Sequence, residues 1–177
     1  PNFKNKINIS LNEASDQLID LLSNSLKSKM SDKKRYGLFL SGGMDTRLIL
    51  ACLKKNNLDF CTFTLNTLYN REVKIAKMAA SIVNAPHYFI QNEKNHYAET
   101  LDEAVHATGS MYQPLCLFYG HSKFVKKYVD ICLHGHGFDF LFQGMYLPRT
   151  KIKLFNRSLH ALIPKKVEKN IIDFFIE

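Results

Sequence analysis

Apolar and polar positions along the chain fall into two rhythms, one of helical period and one of short continuous runs. Over residues 10–30, Leu11, Ala14, Leu18, Leu21, Leu22 and Leu26 recur at helical spacing, and Ser10 with Glu13 forms a capping box, which predicts a helix. A charged linker, residues 31–35, leads into the apolar run Tyr36-Gly37-Leu38-Phe39-Leu40, suited to a buried strand. Asp45 and Thr46 favour the first turn of a helix that Leu48, Ile49, Leu50 and Leu53 continue. Residues 60–65 read as a second strand, 66–70 as a loop, and 71–84 as a helix with Val73, Ile75, Ala76, Ala79, Ala80 and Val83 on or near one face. Pro86 stops that helix, and a third strand follows over 87–90. Helices are expected over 95–108 and 115–128, then a fourth strand over 130–133 and a helix over 138–145 that Pro148 ends. The tail, 151–177, reads as helical and closes on the apolar segment 171–176.

Strands alternating with helices argue for an α/β fold, a Rossmann-like parallel sheet with helices on both faces. Ligands of such sheets sit beyond the carboxyl ends of the strands, where the chain order reverses. With the second and third strands on one side of the first and the fourth on the other, that point falls between Leu40 and Leu133. Loops 41–46 and 134–139 would meet there. The first of them, Ser41-Gly42-Gly43-Met44-Asp45-Thr46, joins a strand to a helix start through small residues. Free N–H groups and the positive end of the helix dipole then face one point and favour an anion. It is not the ATPase phosphate loop, because no Gly-Lys-Ser/Thr follows at the required spacing. On these residues alone, an ordinary strand-to-helix turn stands beside the anion site.

Composition narrows the class. At 177 residues, 46% hydrophobic and 23% charged, the chain is read as a single domain over 1–177 with a full hydrophobic core. No apolar run reaches the length of a membrane span and Pro1-Asn2-Phe3-Lys4 does not open a signal peptide, so no membrane partner is expected. Cys52, Cys61, Cys116 and Cys132 show no CxxC spacing and are read as reduced core thiols of a cytoplasmic protein. A net charge of +8 would suit nucleic acid. The lysines, however, are scattered among helix ends with no arginine-rich or aromatic-interleaved motif, and read as a solvated face.

The loop Ser41 to Thr46 resembles the SGGxDS pyrophosphate loop of the ATP-pyrophosphatase group, with Thr46 keeping the hydroxyl of the usual serine. Leu133-His134-Gly135-His136-Gly137-Phe138-Asp139-Phe140-Leu141-Phe142-Gln143-Gly144 resembles the second signature of asparagine synthetases, SGxGxDExFGG. Residues 38–50 are similar to that family's GVFLSGGLDSSLI segment. Residues 72–87 resemble its acidic residue, alanine-rich helix and following histidine. The resemblance covers residues 11–146 and implies a fold of the adenine nucleotide alpha hydrolase, PP-loop type. It also implies ATP and Mg²⁺ as cofactors and an ATP-dependent amide-forming ligase. A small-molecule carboxylate would be activated as an acyl-adenylate with release of pyrophosphate, and ammonia or an amine donor would displace AMP. By the same resemblance Ser41, Gly42, Gly43, Asp45 and Thr46 would hold the pyrophosphate, Asp45 supporting Mg²⁺. Leu40, Phe63, His134 and Gly135 would line the adenosine, largely through backbone groups. Asp139 would support the metal or the adenylated intermediate.

The chain departs from that family at three points. His136 stands where an acidic residue usually handles the incoming ammonia, and is read as a group that could accept the amine's proton. Phe140 replaces the second acidic residue of the signature. By the same resemblance the chain is expected to stop short of the lysine used in adenylation and to lack the N-terminal glutaminase domain. It is therefore expected to be truncated at its C-terminus, to bind ATP without releasing pyrophosphate by itself, and to self-associate or continue through 171–176. Two further readings remain open: a degenerate nucleotide- or partner-binding domain without turnover, and a metal-dependent hydrolase using His134, His136 and Asp139, whose HxH spacing at a strand end can chelate zinc.

Overall fold

Four short strands carry the unit Leu11–His136: β1 (Tyr36–Phe39), β2 (Cys61–Asn66), β3 (His87–Gln91) and β4 (Ile131–Leu133). The computed structural model describes residues 8–107, 109, 119–138, 150–154 and 157–161. The strands pair in parallel in the order β3-β2-β1-β4, Leu38 lying opposite both Thr62 and Leu133. The chain steps outward twice from β1 and then returns to β1's other edge. The strand order thus reverses between β1 and β4, as the arrangement assumed from the sequence requires.

Among the described residues the helices of this unit are α1 (Leu11–Lys29), α2 (Met44–Lys55), α3 (Arg71–Ile82), α4 (His96–Glu99), α5 (Leu101–Ala107) and α6 (Ser122–Val125). Successive right-handed crossovers in one direction put α2 and α3 on the same face of the sheet. Leu38, Leu40 and Thr64 of the strands are buried there, as are Ile49, Leu50 and Leu53 of α2 and Val73, Ala76 and Ala80 of α3. On the other face Phe63 is buried with Val125 and Val129, flanked by Phe39, Tyr88, Phe124 and Tyr128. Gly37 permits that packing, since a β-carbon there would come within 2.8 Å of Phe63 Cε2.

Polar bonds close the amino ends of the strands. Arg35 donates from Nη2 and Nε to the Asp130 carboxylate (2.8 and 3.2 Å) and from Nη1 to the Lys127 carbonyl (2.9 Å). The guanidinium bond, the largest cause, brings the Asp130 carboxyl down to about 2. Thr62 Oγ1 donates to the Pro86 carbonyl at 3.0 Å and lies 2.9 Å from His87 Nδ1. The one hydroxyl proton being used, Nδ1 carries the imidazole proton, and burial pushes the His87 pKa below its usual value.

Several expected elements come out differently. The helix expected over 95–108 is two pieces, because Thr100 ends α4 and its hydroxyl bonds the His96 carbonyl at 2.7 Å. Of the helix expected over 115–128, only α6 forms among the described residues. Gly120 there has φ +80°, which no continuous right-handed helix accepts. The helix expected over 71–84 stops at Ile82, and Asn84 turns left-handed at φ 57°.

The second unit comprises Pro1–Ser10 and Gly137–Glu177. Here the helical reading of the tail is corrected: β5 (Thr150–Leu154) and β6 (Arg157–Ala161) pair as an antiparallel hairpin, Ile152 opposite Leu159. The physical reason lies in Lys151-Ile152-Lys153-Leu154, a strict alternation of period two, which suits a strand rather than a helix. The expected helix over 138–145 falls almost wholly, and the apolar segment 171–176 wholly, outside the described residues. No described helix is long and apolar enough to cross a membrane. Cys52, Cys61 and Cys132 are free thiols, and Cys116 lies outside the described residues.

Candidate functional site

β1 delivers the first loop from within the core. Leu40 is buried, donates its N–H to the Phe63 carbonyl at 2.8 Å, and has its own carbonyl bonded by the Thr64 hydroxyl. The chain then turns at Gly42, whose φ of +78° favours glycine. A β-carbon there would lie 2.7 Å from the Glu72 carbonyl oxygen, so the loop hugs the start of α3 only because Gly42 has none. That start is held in turn by Asn70, whose side chain caps α3 by accepting the Val73 N–H at 3.1 Å.

Hydroxyls set the loop's shape. Thr46 Oγ1 is buried; it accepts the Ser41 N–H at 3.3 Å, donates to the Gly43 carbonyl at 3.3 Å and lies 3.2 Å from Ser41 Oγ. Ser41 Oγ accepts the Gly43 N–H at 3.3 Å. What these bonds leave over is the informative part. Among the described residues, the N–H groups of Gly42, Met44, Asp45 and Thr46 find no acceptor. Gly43 is the N-cap of α2 and has no side chain to cap it, so the positive end of that helix is unsatisfied. The Asp45 carboxylate, half-buried in the first turn, likewise has no partner among the described residues.

The second loop closes on the first. A β-carbon on Gly135 would lie 3.0 Å from Thr46 Cγ2, 3.2 Å from Asp45 Cβ and 3.3 Å from Thr46 N. One step either side, His134 Nδ1 accepts the His136 N–H at 3.2 Å, and the two rings stand 6.0 Å apart at 53°. An accepting Nδ1 leaves the imidazole proton on Nε2. Partial desolvation, the larger cause, and the adjacent His136 lower the His134 pKa.

The structure thus brings Ser41, Gly42, Gly43, Asp45, Thr46 and Gly135 into one crevice, with His134 and His136 on the loop that bounds it. Leu40 and Phe63 belong to the core beneath: the Phe63 ring stacks at 5.4 Å on Tyr88, and its carbonyl is taken by Leu40. Asp139 and Phe140 lie outside the described residues. Among the described residues, no three of His, Cys, Asp and Glu gather into a metal-holding set. A magnesium-bound polyphosphate fits the donor set present, because unpartnered N–H groups suit phosphate oxygens and an unpaired carboxylate beside them suits the cation. Arg47 donates from Nε to the Gly43 carbonyl at 3.3 Å.

A putative glutamine-hydrolyzing asparagine synthetase of Mycobacterium bovis is 28% identical over 145 residues, 78% of this chain and 22% of the relative. The human glutamine-hydrolyzing asparagine synthetase is 25% identical over 136 residues, 70% of this chain and 24% of the relative. The chain therefore spans less than a quarter of the length of these relatives. Among solved structures, the NMN synthetase of Francisella tularensis is similar with a TM-score of 0.48 and 18% identity, over 78% of this chain and 59% of that one. Residues 17–173 match the asparagine synthase family, a stretch that begins inside α1 and takes in both loops of the crevice. By a match over far more than half of its length, the chain belongs to the asparagine synthase family.

Proposed function

We propose that the chain is the ATP-binding portion of an amide-forming ligase of asparagine synthetase type. One observation carries the proposal: unpartnered N–H groups at Gly42, Met44, Asp45 and Thr46 share one short stretch with an unpaired carboxylate, at the point where two loops meet. These donors, with Ser41 and Gly43 shaping the loop, would hold the β- and γ-phosphates as they leave. Asp45 would hold Mg²⁺, which supplies positive charge against the charge developing on the departing pyrophosphate. His134 and Gly135 would border the adenosine through their backbone, above the core floor of Leu40 and Phe63, and Asp139 would support the metal or the adenylated intermediate.

In the reaction so placed, a carboxylate oxygen attacks the α-phosphorus and the bond to the bridging oxygen breaks, releasing pyrophosphate. Ammonia or an amine then attacks the acyl carbon, AMP leaves, and the nitrogen's surplus proton passes to His136. That side chain is exposed at the rim of the crevice, and an imidazole nitrogen can accept a proton. The test incubates the protein, in its longest natural form, with ATP, Mg²⁺, ammonia and a panel of carboxylates. Pyrophosphate, AMP and amide should appear in equal amounts with the right acceptor, and His136→Ala should slow amide formation about a hundred-fold. An unaltered rate of amide formation in His136→Ala would remove the proton acceptor from the scheme. Bound ATP with no pyrophosphate from any carboxylate would favour a nucleotide-binding domain without turnover.

A further inference from the structure

Two imidazoles lie stacked where the chain leaves β3. His96 of α4 and His121, the N-cap of α6, hold their ring centroids 4.5 Å apart with 12° between the planes. His121 Nε2 is 2.6 Å from Oδ1 of Asn92, the residue after β3. An amide oxygen only accepts, so Nε2 carries the proton of the neutral ring and a second proton must go to Nδ1. Asn92 is 3% and His96 8% exposed, and His96 Nε2 is buried with no hydrogen-bond partner among the described residues. Asn92 is itself fixed, donating its N–H to the Asn66 carbonyl at 2.9 Å. Gly120 lets its loop close on the pair, since a β-carbon there would lie 3.1 Å from His96 Cε1 and 3.1 Å from Thr100 Cγ2. The end of β3, α4 and the head of α6 are thus joined through one small polar cluster.

Such a cluster tolerates neutral imidazoles far better than charged ones. Two rings stacked face to face repel when both are cations, and a proton on His96 Nε2 would be a buried donor without an acceptor. Among the described residues no acidic side chain bonds either ring. Glu93, Lys94 and Glu99 around α4 and Lys123 of α6 are exposed, and Tyr97 meets His96 edge-on at 5.5 Å. We propose that Asn92, His96 and His121 form an acid-opened latch, which holds the residues after β3 against the head of α6 while both rings are neutral. Burial, the larger cause, and the neighbouring His96 put the His121 pKa below its ordinary 6.5. The unfolded chain therefore takes up the proton first as pH falls. The latch contributes its full stability above about 6.5 and loses it as pH drops from there through the folded value. It stands apart from the ligase reading, which uses none of the three residues.

The experiment follows hydrogen exchange of the 177-residue chain at about pH 7.5 and 5.5, with the intrinsic pH dependence of exchange divided out. In wild type, residues 92–100 and 119–125 should open about three-fold or more faster at the lower pH, and β1 and β2 much less. His96→Phe keeps the stacked ring and removes one titrating group. There the His121 titration, read from its Cε1 proton by NMR, should move up toward 6.5, and the opening in acid should shrink. Asn92→Asp keeps the shape and sets a carboxylate against the His121 ring, so the sign should reverse, with slower exchange at the lower pH. A wild-type His121 that titrates at 6.5, unmoved in His96→Phe, overturns the latch. Acid opening of the same sign and size in wild type and Asn92→Asp also overturns it, and that arm decides alone if His96→Phe does not fold.

Discussion

Gly135 is the residue on which the meeting of the two loops depends. Its missing β-carbon lets Thr46 Cγ2 and the backbone of Thr46 approach to 3.0 and 3.3 Å of where that carbon would be. Gly135→Ala should therefore push the loops apart and cost about 1–3 kcal/mol, the usual range for an extra methyl in a packed position. Thr46→Ser, which keeps the hydroxyl bonds and removes Cγ2, should cost little by itself. Combined with Gly135→Ala it should recover part of the loss, and urea midpoints of the four proteins form the cycle that measures this. Strictly additive losses would mean that the two residues do not touch. The same scale shows where the sequence was readable. Glycines in the two loops announced tight turns, and their types could be matched to family signatures. Nothing in the sequence told that the Thr46 hydroxyl would turn into the loop, because a hydroxyl's direction is decided by the partners that folding brings.

The site hangs on elements rather than on its own residues. α3 touches the first loop where the Glu72 carbonyl faces Gly42, and Asn70 holds that end of α3. Loss of the cap in Asn70→Ala should cost about 1 kcal/mol. In a domain of this size that is a drop of about 2–4 °C in melting temperature. A melting curve superimposable on wild type would show that the cap does not hold α3. Strand existence was legible because short apolar runs alternated with helical ones, whereas the order β3-β2-β1-β4 was one arrangement that alternation allows and comes from the structure. Helix continuity was not legible. Thr100 and Gly120 break segments whose apolar spacing alone reads as unbroken, since a hydroxyl on the i−4 carbonyl and a positive φ leave no mark on periodicity. The β5–β6 hairpin was misread for the opposite reason: a period-two stretch was absorbed into a longer segment read at helical period.

At the scale of the whole molecule, the unit Leu11–His136 is tied at one end of its sheet and open for chemistry at the other. Arg35 and Asp130 make the tie, joining the residue before β1 to the residue before β4. A carboxyl brought from 3.8 down to about 2 stabilises the folded state when it is ionised. That stability is fully present above about pH 4 and is lost as pH falls toward about 2. Asp130→Asn should consequently unfold earlier at neutral pH and lose less between those two values than wild type does, as acid titration monitored by circular dichroism would read out. Identical acid transitions would remove the tie. The central claim, however, concerns the open end. Its most direct test is a calorimetric titration of ATP into wild type and Asp45→Asn, with and without Mg²⁺. Wild type should bind ATP with pyrophosphate as a competitor, and Asp45→Asn should bind about ten-fold more weakly, about 1.4 kcal/mol, only when Mg²⁺ is present. Equal affinity of the two proteins for ATP in Mg²⁺, or no competition by pyrophosphate, would contradict it.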